Sequence, residues 1–363
     1  MTHAYPDRVL ISGGREVGGV GSFAESLRAG FAEYGIPVEI VPPAGVASRG
    51  ADLRSPRVLK ILSTSAVFVA PFARRTICVA HGVPRADAQG WMRLGSIIAS
   101  FKLANRCRGA QLVAVSHYTA ATLGAVFNVR TDAVVYNPAK PLYLEPAPEP
   151  PPESGEDRRY VTYVGRLIRA KNLHRILPAV RDLMDETPGL RMCLIGAGEE
   201  RATLEAMAAG DPRFEFHGTP DDVQVREQLR RSRLFVSGNE VEGFGIAYLE
   251  ALAQGCVVAM PACGGGLEIA PGMVGRAVQL LPLSWDRAEV VAVLRHALRE
   301  PWTPIATERF SAAAAAGGYL GVDARFLADG IVWRGRNAEA TAAIPALEEQ
   351  AGRGLSRRRG ISQ

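Results

Sequence analysis

Short apolar runs that end on glycine or a polar residue recur along the whole chain, with segments of helical periodicity between them. RVLISGG (8–14) opens the first half and YVTYVGR (160–166) opens the second, and a helix-period segment follows each, Ser22 to Tyr34 and Asn172 to Glu186. Further strand-like runs are IPVEIV (36–41), AVFVA (66–70), TICVA (76–80), QLVAVS (111–116) and AVVYN (133–137). The second half adds RMCLIG (191–196), RFEFHG (213–218), RLFVSG (233–238) and CVVAM (256–260). Runs this apolar leave no face for water, and alternation with helices predicts parallel sheets covered on both sides. The expected architecture is α/β: two doubly wound, Rossmann-like domains in tandem, facing each other across a cleft. Ligands then belong at the carboxyl ends of the strands.

Length agrees, because 363 residues exceed what one hydrophobic core organises. Residues 138–157 hold seven of the 24 prolines and almost no apolar periodicity, which reads as a semi-extended divider. The expected units are a first domain over 1–144, a Pro-rich linker over 145–157 and a second domain over 158–315. A helical segment over 316–340 and a basic tail over 341–363, with Arg353, Arg357, Arg358 and Arg359, complete the chain. Such a tail is usually solvated and mobile, with a membrane or nucleic-acid role as the alternative.

Composition narrows the class. With 47% hydrophobic and 22% charged residues the chain is globular. A net charge of +5 suits an anionic ligand or surface without choosing among phosphate, nucleic acid and lipid headgroups. Five widely spaced cysteines without a Cys-x-x-Cys pair read as buried thiols in a reducing compartment. The six histidines lack ligand spacing, so no metal site is expected. Met1 to Asp7 is polar, unlike a secretory signal, and the apolar zone from Val58 to Ala73 is broken by Lys60, a Ser-Thr-Ser run and Pro71. The expectation is a cytoplasmic protein, with peripheral contact at the inner face of the membrane as an open addition.

Candidate chemistry sits where strands end. Gly165 lets a ligand approach the backbone, while Arg166 and Lys171 place two cations near a helix N-terminus, which suits a diphosphate. The plain alternative is two surface cations paired with nearby acids. In NEVEGFGIAYLEALAQG (239–255), Gly243-Phe244-Gly245 reads as a turn and Ile246 to Gln254 as a helix stopped by Gly255. Glu242 then precedes the helix and Glu250 lies a little over one turn inside it. A buried carboxylate needs donors, and the vicinal hydroxyls of a ribose would serve; a solvent-facing Glu250 paired with an arginine is the alternative. Gly18-Gly19-Val20-Gly21 ahead of Ser22 reads as a second phosphate loop, and His81-Gly82 follows the strand TICVA. Gly264-Gly265-Gly266 and Glu268 follow CVVAM and suit either backbone contact with a ligand or a flexible loop.

Taken together, VGRLIRAKN, NEVEGFGIAYLEALAQG and CVVAMPACGGGLEI resemble the retaining family 4 glycosyltransferases of GT-B fold. GGVGSFAESL, VAHG, AVSHYTAATL and VVYNP agree more loosely, and the resemblance covers roughly residues 8–315. It implies that Arg166 and Lys171, with Gly165, hold the diphosphate of a nucleotide-sugar donor, and that Glu250 holds its ribose. Glu242 and the amides of Phe244 and Gly245 would face the sugar. Gly19 and Gly21 would approach the phosphates, and His81 would sit by the sugar on the acceptor side. The first domain becomes the acceptor side and the second the donor side, with 316–340 packing back toward the first. The implied donor is a UDP- or GDP-sugar, no cofactor is required, and the acceptor is a sugar, a lipid-linked or a small molecule rather than a nucleic acid. Two departures stand out. The loop before Glu242 is longer than the family's and adds Glu240, although only Glu242 has the spacing to Glu250; and YNPAK stands where Tyr-Asn-Gly is common.

The sequence contains no Asp-x-Asp, so charge on the leaving diphosphate would be met by Arg166, Lys171 and the helix end. Front-face displacement with retention is the route the resemblance implies. Among rivals, Gly19-Val20-Gly21-Ser22-Phe23-Ala24 with Glu39 fits a loose dinucleotide fingerprint, but Gly13 to Gly18 separate it too far from the strand. An epimerase-like GT-B enzyme and a non-catalytic binding protein are the other readings. Residues 91–108 put Leu94, Ile97, Ile98 and Phe101 at helical spacing among cations. That stripe suits a core-facing helix, or one that meets a lipid-linked acceptor at the membrane.

Overall fold

The computed structural model describes residues 5–13, 19–85, 90–144, 158–262, 264–301, 303 and 305–328. The first lobe carries β1 (Arg8–Ser12), β2 (Val38–Val41), β3 (Val58–Ser63), β4 (Thr76–Ala80), β5 (Ala110–Ala114) and β6 (Ala133–Val134). They pair in the order β2-β1-β3-β4-β5-β6, parallel throughout. The second carries β7 (Tyr160–Val164), β8 (Arg191–Ile195), β9 (Phe214–His217), β10 (Ser232–Val236), β11 (Val257–Pro261) and β12 (Val278–Leu281). Their order is β12-β11-β10-β7-β8-β9, again all parallel. In the second sheet the winding reverses beside β7, because β8 and β9 extend one way and β10 to β12 the other. The crevice at the carboxyl ends of β7 and β10 is therefore the switch point where such sheets bind ligands.

The strands are apolar because both faces are covered: all five residues of β4 and of β11 are buried. The covering helices of the first lobe are α1 (Gly19–Glu33), α2 (Gly50–Arg54), α3 (Trp91–Arg106), α4 (His117–Phe127) and the short α5 (Pro141–Leu144). Those of the second are α6 (Leu173–Glu186), α7 (Arg201–Ala208), α8 (Asp222–Arg230), α9 (Ile246–Ala253) and α10 (Arg287–Arg299). The α6 helix turns Leu173, Ile176, Leu177, Val180, Leu183 and Met184 into the core, one stripe at helical spacing. The α8 helix starts on a capping box between Asp221 and Gln224.

A last helix, α11 (Ala312–Ala328), lies against the first lobe. Its Asp323 takes the buried Arg75 guanidinium, with Nη2 2.8 Å from Oδ2. The Tyr34 hydroxyl donates to the Ala313 carbonyl, and Phe23 meets the Tyr319 ring edge-on. Gly30 lies so close to the Ala312 carbonyl that a side chain there would collide with it. One continuous apolar cluster runs from Phe23 and Phe31 through Phe310 and Tyr319 to Phe244 and Tyr248, so both lobes share a core.

Several elements differ from the expectation. Residues 66–70 are not a strand: Thr64–Phe72 is a 3-10 helix, and the strand of that zone is Val58–Ser63. Ala66, Val67 and Ala70 are buried while Phe68 is exposed, a helical rather than alternating pattern. Within β3, Lys60 is fully buried and its ammonium donates to the carbonyls of Ser55 and Val58, both at 2.8 Å. Burial brings it down to about 8. Gly19 and Gly21 lie in the first turn of α1 rather than in a loop ahead of Ser22. The run 133–137 contributes only two paired residues, and β12 had no counterpart among the expected strands. Gly18, Cys263, the linker over 145–157, residues 329–340 and the tail over 341–363 lie outside the described residues.

Candidate active site

Gly165 ends β7 and its loop carries Arg166, exposed at the rim, and then a 3-10 turn, Arg169–Lys171. The Arg166 carbonyl accepts from the buried Tyr163 hydroxyl at 2.8 Å, which anchors the loop to the strand. Lys171 reaches across the switch point to the loop after β10, where its Nζ lies 3.1 Å from Glu242 Oε2. The same oxygen accepts from Asn239 Nδ2 at 2.7 Å. Burial pushes the Glu242 carboxyl up, but Lys171, Asn239 and the Gly243 N–H outweigh it and hold Glu242 below the ordinary glutamate value. Glu242 is therefore a carboxylate with a cation already attached. Lysine offers three donors, so two remain for a further ligand.

Glu240, the competing acid in the longer loop, is occupied elsewhere. It accepts from Trp285 Nε1 at 2.7 Å and from Asn172 Nδ2 at 3.2 Å. Asn172 also donates to the Gly238 carbonyl at 3.0 Å, tying this loop to the start of α6.

The turn after Glu242 opens α9. Gly245 caps it with φ 93°, a left-handed conformation that favours glycine. The N–H groups of Phe244 and Gly245 have no acceptor among the described residues, as expected of donors at a helix start. Further in, Glu250 is 9% exposed and makes no side-chain hydrogen bond among the described residues. Burial pushes its carboxyl up to about 8; Lys140 pulls it down and Asp222 pushes it up. Those two pair with each other at 2.5 Å, so neither neutralises Glu250.

From the first lobe, His81 follows β4. Its Nε2 is buried without a partner among the described residues, and its ring packs edge-to-face with Phe23, the ring centroids 4.5 Å apart. Burial brings His81 down to about 4, so it is neutral at physiological pH. Phe23 lies in the first two turns of α1, which links His81 to the helix that begins with Gly19 and Gly21. Gly82 touches Gly243: a methyl group on Gly243 would stand 2.6 Å from the Gly82 Cα. The fold thus brings His81, Lys171, Glu242, Phe244 and Gly245 to one place, with Arg166 at the rim and Glu250 behind.

Sequence reasoning passed over Asn239, Tyr163, Ser116 and Thr119. Only Ser116-x-x-Thr119 carried a local signal, an N-cap ahead of an apolar helix. Of the dense glycines after β11, Gly264 and Gly265 pack on the protein's own backbone at Glu242 and Gly243, and the Gly265 N–H donates to the Glu242 carbonyl at 2.6 Å. Glu268 accepts the N–H groups of His117 and Tyr118, at 2.9 and 2.7 Å, from the opposite lobe.

Comparison with known proteins gives this geometry a context. Residues 148–273 match the family model described as glycosyl transferases group 1. A GDP-mannose-dependent alpha-(1-6)-phosphatidylinositol monomannoside mannosyltransferase of Mycolicibacterium smegmatis is 28% identical over 229 residues, 57% of each chain. The lipopolysaccharide core biosynthesis glycosyltransferase LpsE of Rhizobium meliloti is 34% identical over 105 residues, 28% of this chain and 29% of that one. The chain spans between 22% and 57% of the length of the curated relatives it matches. Among solved structures, WaaG, a glycosyltransferase involved in lipopolysaccharide biosynthesis, superimposes with a TM-score of 0.62 at 16% identity, covering 89% of this chain and 95% of that one. Two parallel six-stranded sheets with flanking helices make this the GT-B fold.

Proposed function

We propose that this chain is a retaining glycosyltransferase of family 4 that moves a sugar from a UDP- or GDP-sugar to an acceptor hydroxyl. The observation that carries the reading is the Lys171–Glu242 pair at the switch point, beside two unpartnered N–H groups at the start of α9. A diphosphate in this crevice would meet Arg166, the two remaining Lys171 donors and the helix end, all of which oppose the charge that develops as the anomeric bond breaks. Holding Glu242 on the same lysine would orient the carboxylate toward the sugar hydroxyls. The Phe244 and Gly245 amides would bind the sugar, Glu250 the ribose, and Gly19 and Gly21 the phosphates from the first lobe. His81, neutral, would hydrogen-bond near the acceptor. Carbohydrate-transferring relatives and the GT-B fold support the donor class; two relatives named for phosphatidylinositol substrates favour a lipid-linked acceptor.

The same reading assigns residues 1–144 to the acceptor and 158–315 to the donor. It includes peripheral contact with the inner face of a membrane, because Phe68, Phe72, Trp91 and Met92 are exposed on adjoining elements of the first lobe, at 41, 74, 80 and 91%. No helix among the described residues is long and apolar enough to cross a membrane.

A thermal-shift panel of UDP-, GDP-, ADP- and TDP-sugars, with NAD and NADP as controls, tests the donor class, since a bound ligand raises the melting temperature. A shift with a nucleotide sugar and none with the dinucleotides is expected; the reverse would favour the dinucleotide-fingerprint rival, an NAD(P)-dependent oxidoreductase. Lys171→Ala should lower turnover at least about tenfold, the cost of one charge-assisted contact to the leaving group. Near wild-type turnover would remove the assigned roles.

A further inference from the structure

Both lobes meet at one carbonyl oxygen. Ser116 caps α4, and its Oγ lies 2.5 Å from the Gly243 oxygen; Thr119 Oγ1 lies 3.1 Å from the same atom. Both residues are fully buried. Ser116 Oγ also accepts the Thr119 N–H at 3.0 Å, so the cap that starts α4 holds the two hydroxyls on one rigid turn. Glu268 occupies the next N–H groups of that turn from the second lobe. Tyr136 of the first lobe stacks on Phe244, with ring centroids 5.6 Å apart.

The geometry has a directional consequence. A trans peptide is planar, so its N–H points opposite to its C=O. Two hydroxyls that draw the Gly243 oxygen toward α4 turn the Phe244 N–H of the same peptide away from it. That N–H is one of the unpartnered donors of the candidate site. We propose that Ser116 and Thr119 are positioning residues: from the first lobe they aim the Phe244 amide of the second, so the donor turn is complete only when the lobes are closed. The catalytic half of this proposal rests on the glycosyltransferase reading; the structural half does not.

The test compares S116A/T119V, which removes both hydroxyls, with S116T/T119S, which keeps them. Hydrogen–deuterium exchange at 243–249 in S116A/T119V should accelerate roughly fivefold or more while α6 stays unchanged, and S116T/T119S should restore protection. Turnover of whichever nucleotide sugar of the thermal-shift panel stabilises the wild type should fall about tenfold, with the Kd of its nucleoside diphosphate (UDP, GDP, ADP or TDP) within about threefold, because two hydrogen bonds that orient the turn are gone while the phosphate cations remain. Should S116A/T119V not fold, T119V alone, which leaves the cap intact, should show the same effects at about a third of the size. Unchanged exchange at 243–249 overturns the proposal whatever the kinetics, and so does faster exchange with unaltered turnover. If the wild type neither binds nor turns over a nucleotide sugar, the functional reading fails, and the exchange result still decides whether the hydroxyls hold the turn.

Discussion

Glu250 is buried and accepts no hydrogen bond among the described residues, and burial pushes its carboxyl up to about 8. Its folded pKa lies above the unfolded one, so the folded state holds the extra proton between the two. Stability from this group is therefore fully present below the unfolded pKa and lost as pH climbs through about 8. Glu250→Gln should raise the melting temperature by about 2–5 °C at pH 8.5 and leave it unchanged at pH 4. If the carboxylate accepts ribose hydroxyls, donor affinity should rise with pH toward about 8 in the wild type and stay flat in the variant; titration calorimetry across pH 6–9 reads both. A Glu250→Gln protein no more stable at high pH would show that the carboxyl is solvated. The two glutamates of the loop make the complementary point. Spacing to Glu250 singled out Glu242, and the tertiary partners separate the acids further: Trp285 and Asn172 occupy Glu240, whereas Glu242 pairs with Lys171.

At the scale of elements, α11 is fixed to the first lobe by the Arg75–Asp323 pair, whose side chains are 7% and 5% exposed. Removing one partner leaves a buried charge, so Asp323→Ala should cost about 3–5 kcal/mol of stability in urea unfolding. Replacing both, as in R75M/D323L, should cost much less, because the desolvation of two charges disappears with their attraction. Equal losses in both variants would mean that shape rather than charge holds the helix. The α3 helix shows how a stripe misleads. Leu94 and Phe101 are buried and Ile97 and Ile98 half-buried against the core, so the apolar residues available to lipid are Trp91 and Met92 in its first turn.

For the whole molecule, charge is unevenly shared. Residues 1–144 carry 16 Lys and Arg against 8 Asp and Glu, so the remainder of a +5 chain is net negative. The lobe with the exposed aromatic residues is also the cationic one, a combination suited to an anionic bilayer. Sedimentation with phosphatidylglycerol vesicles at low salt should carry the protein down, and W91A/M92A should reduce the bound fraction about threefold or more. Binding that is insensitive to both substitutions would move the contact elsewhere. The alternation of apolar strands and helices determined, from sequence alone, two parallel sheets, because that pattern has few other ways to bury its surface. The Gly-Arg…Lys and Glu-x7-Glu spacings were local and equally legible. The 3-10 helix at Thr64–Phe72 and β12 were not, since short apolar runs are read by their neighbours rather than by their own residues. Nor was the meeting of Ser116 and Thr119 with Gly243, 127 and 124 positions away. Only the closing of one lobe on the other decides that contact, because a hydrogen bond between distant segments is specified by the packing of both cores and by no residue within either segment.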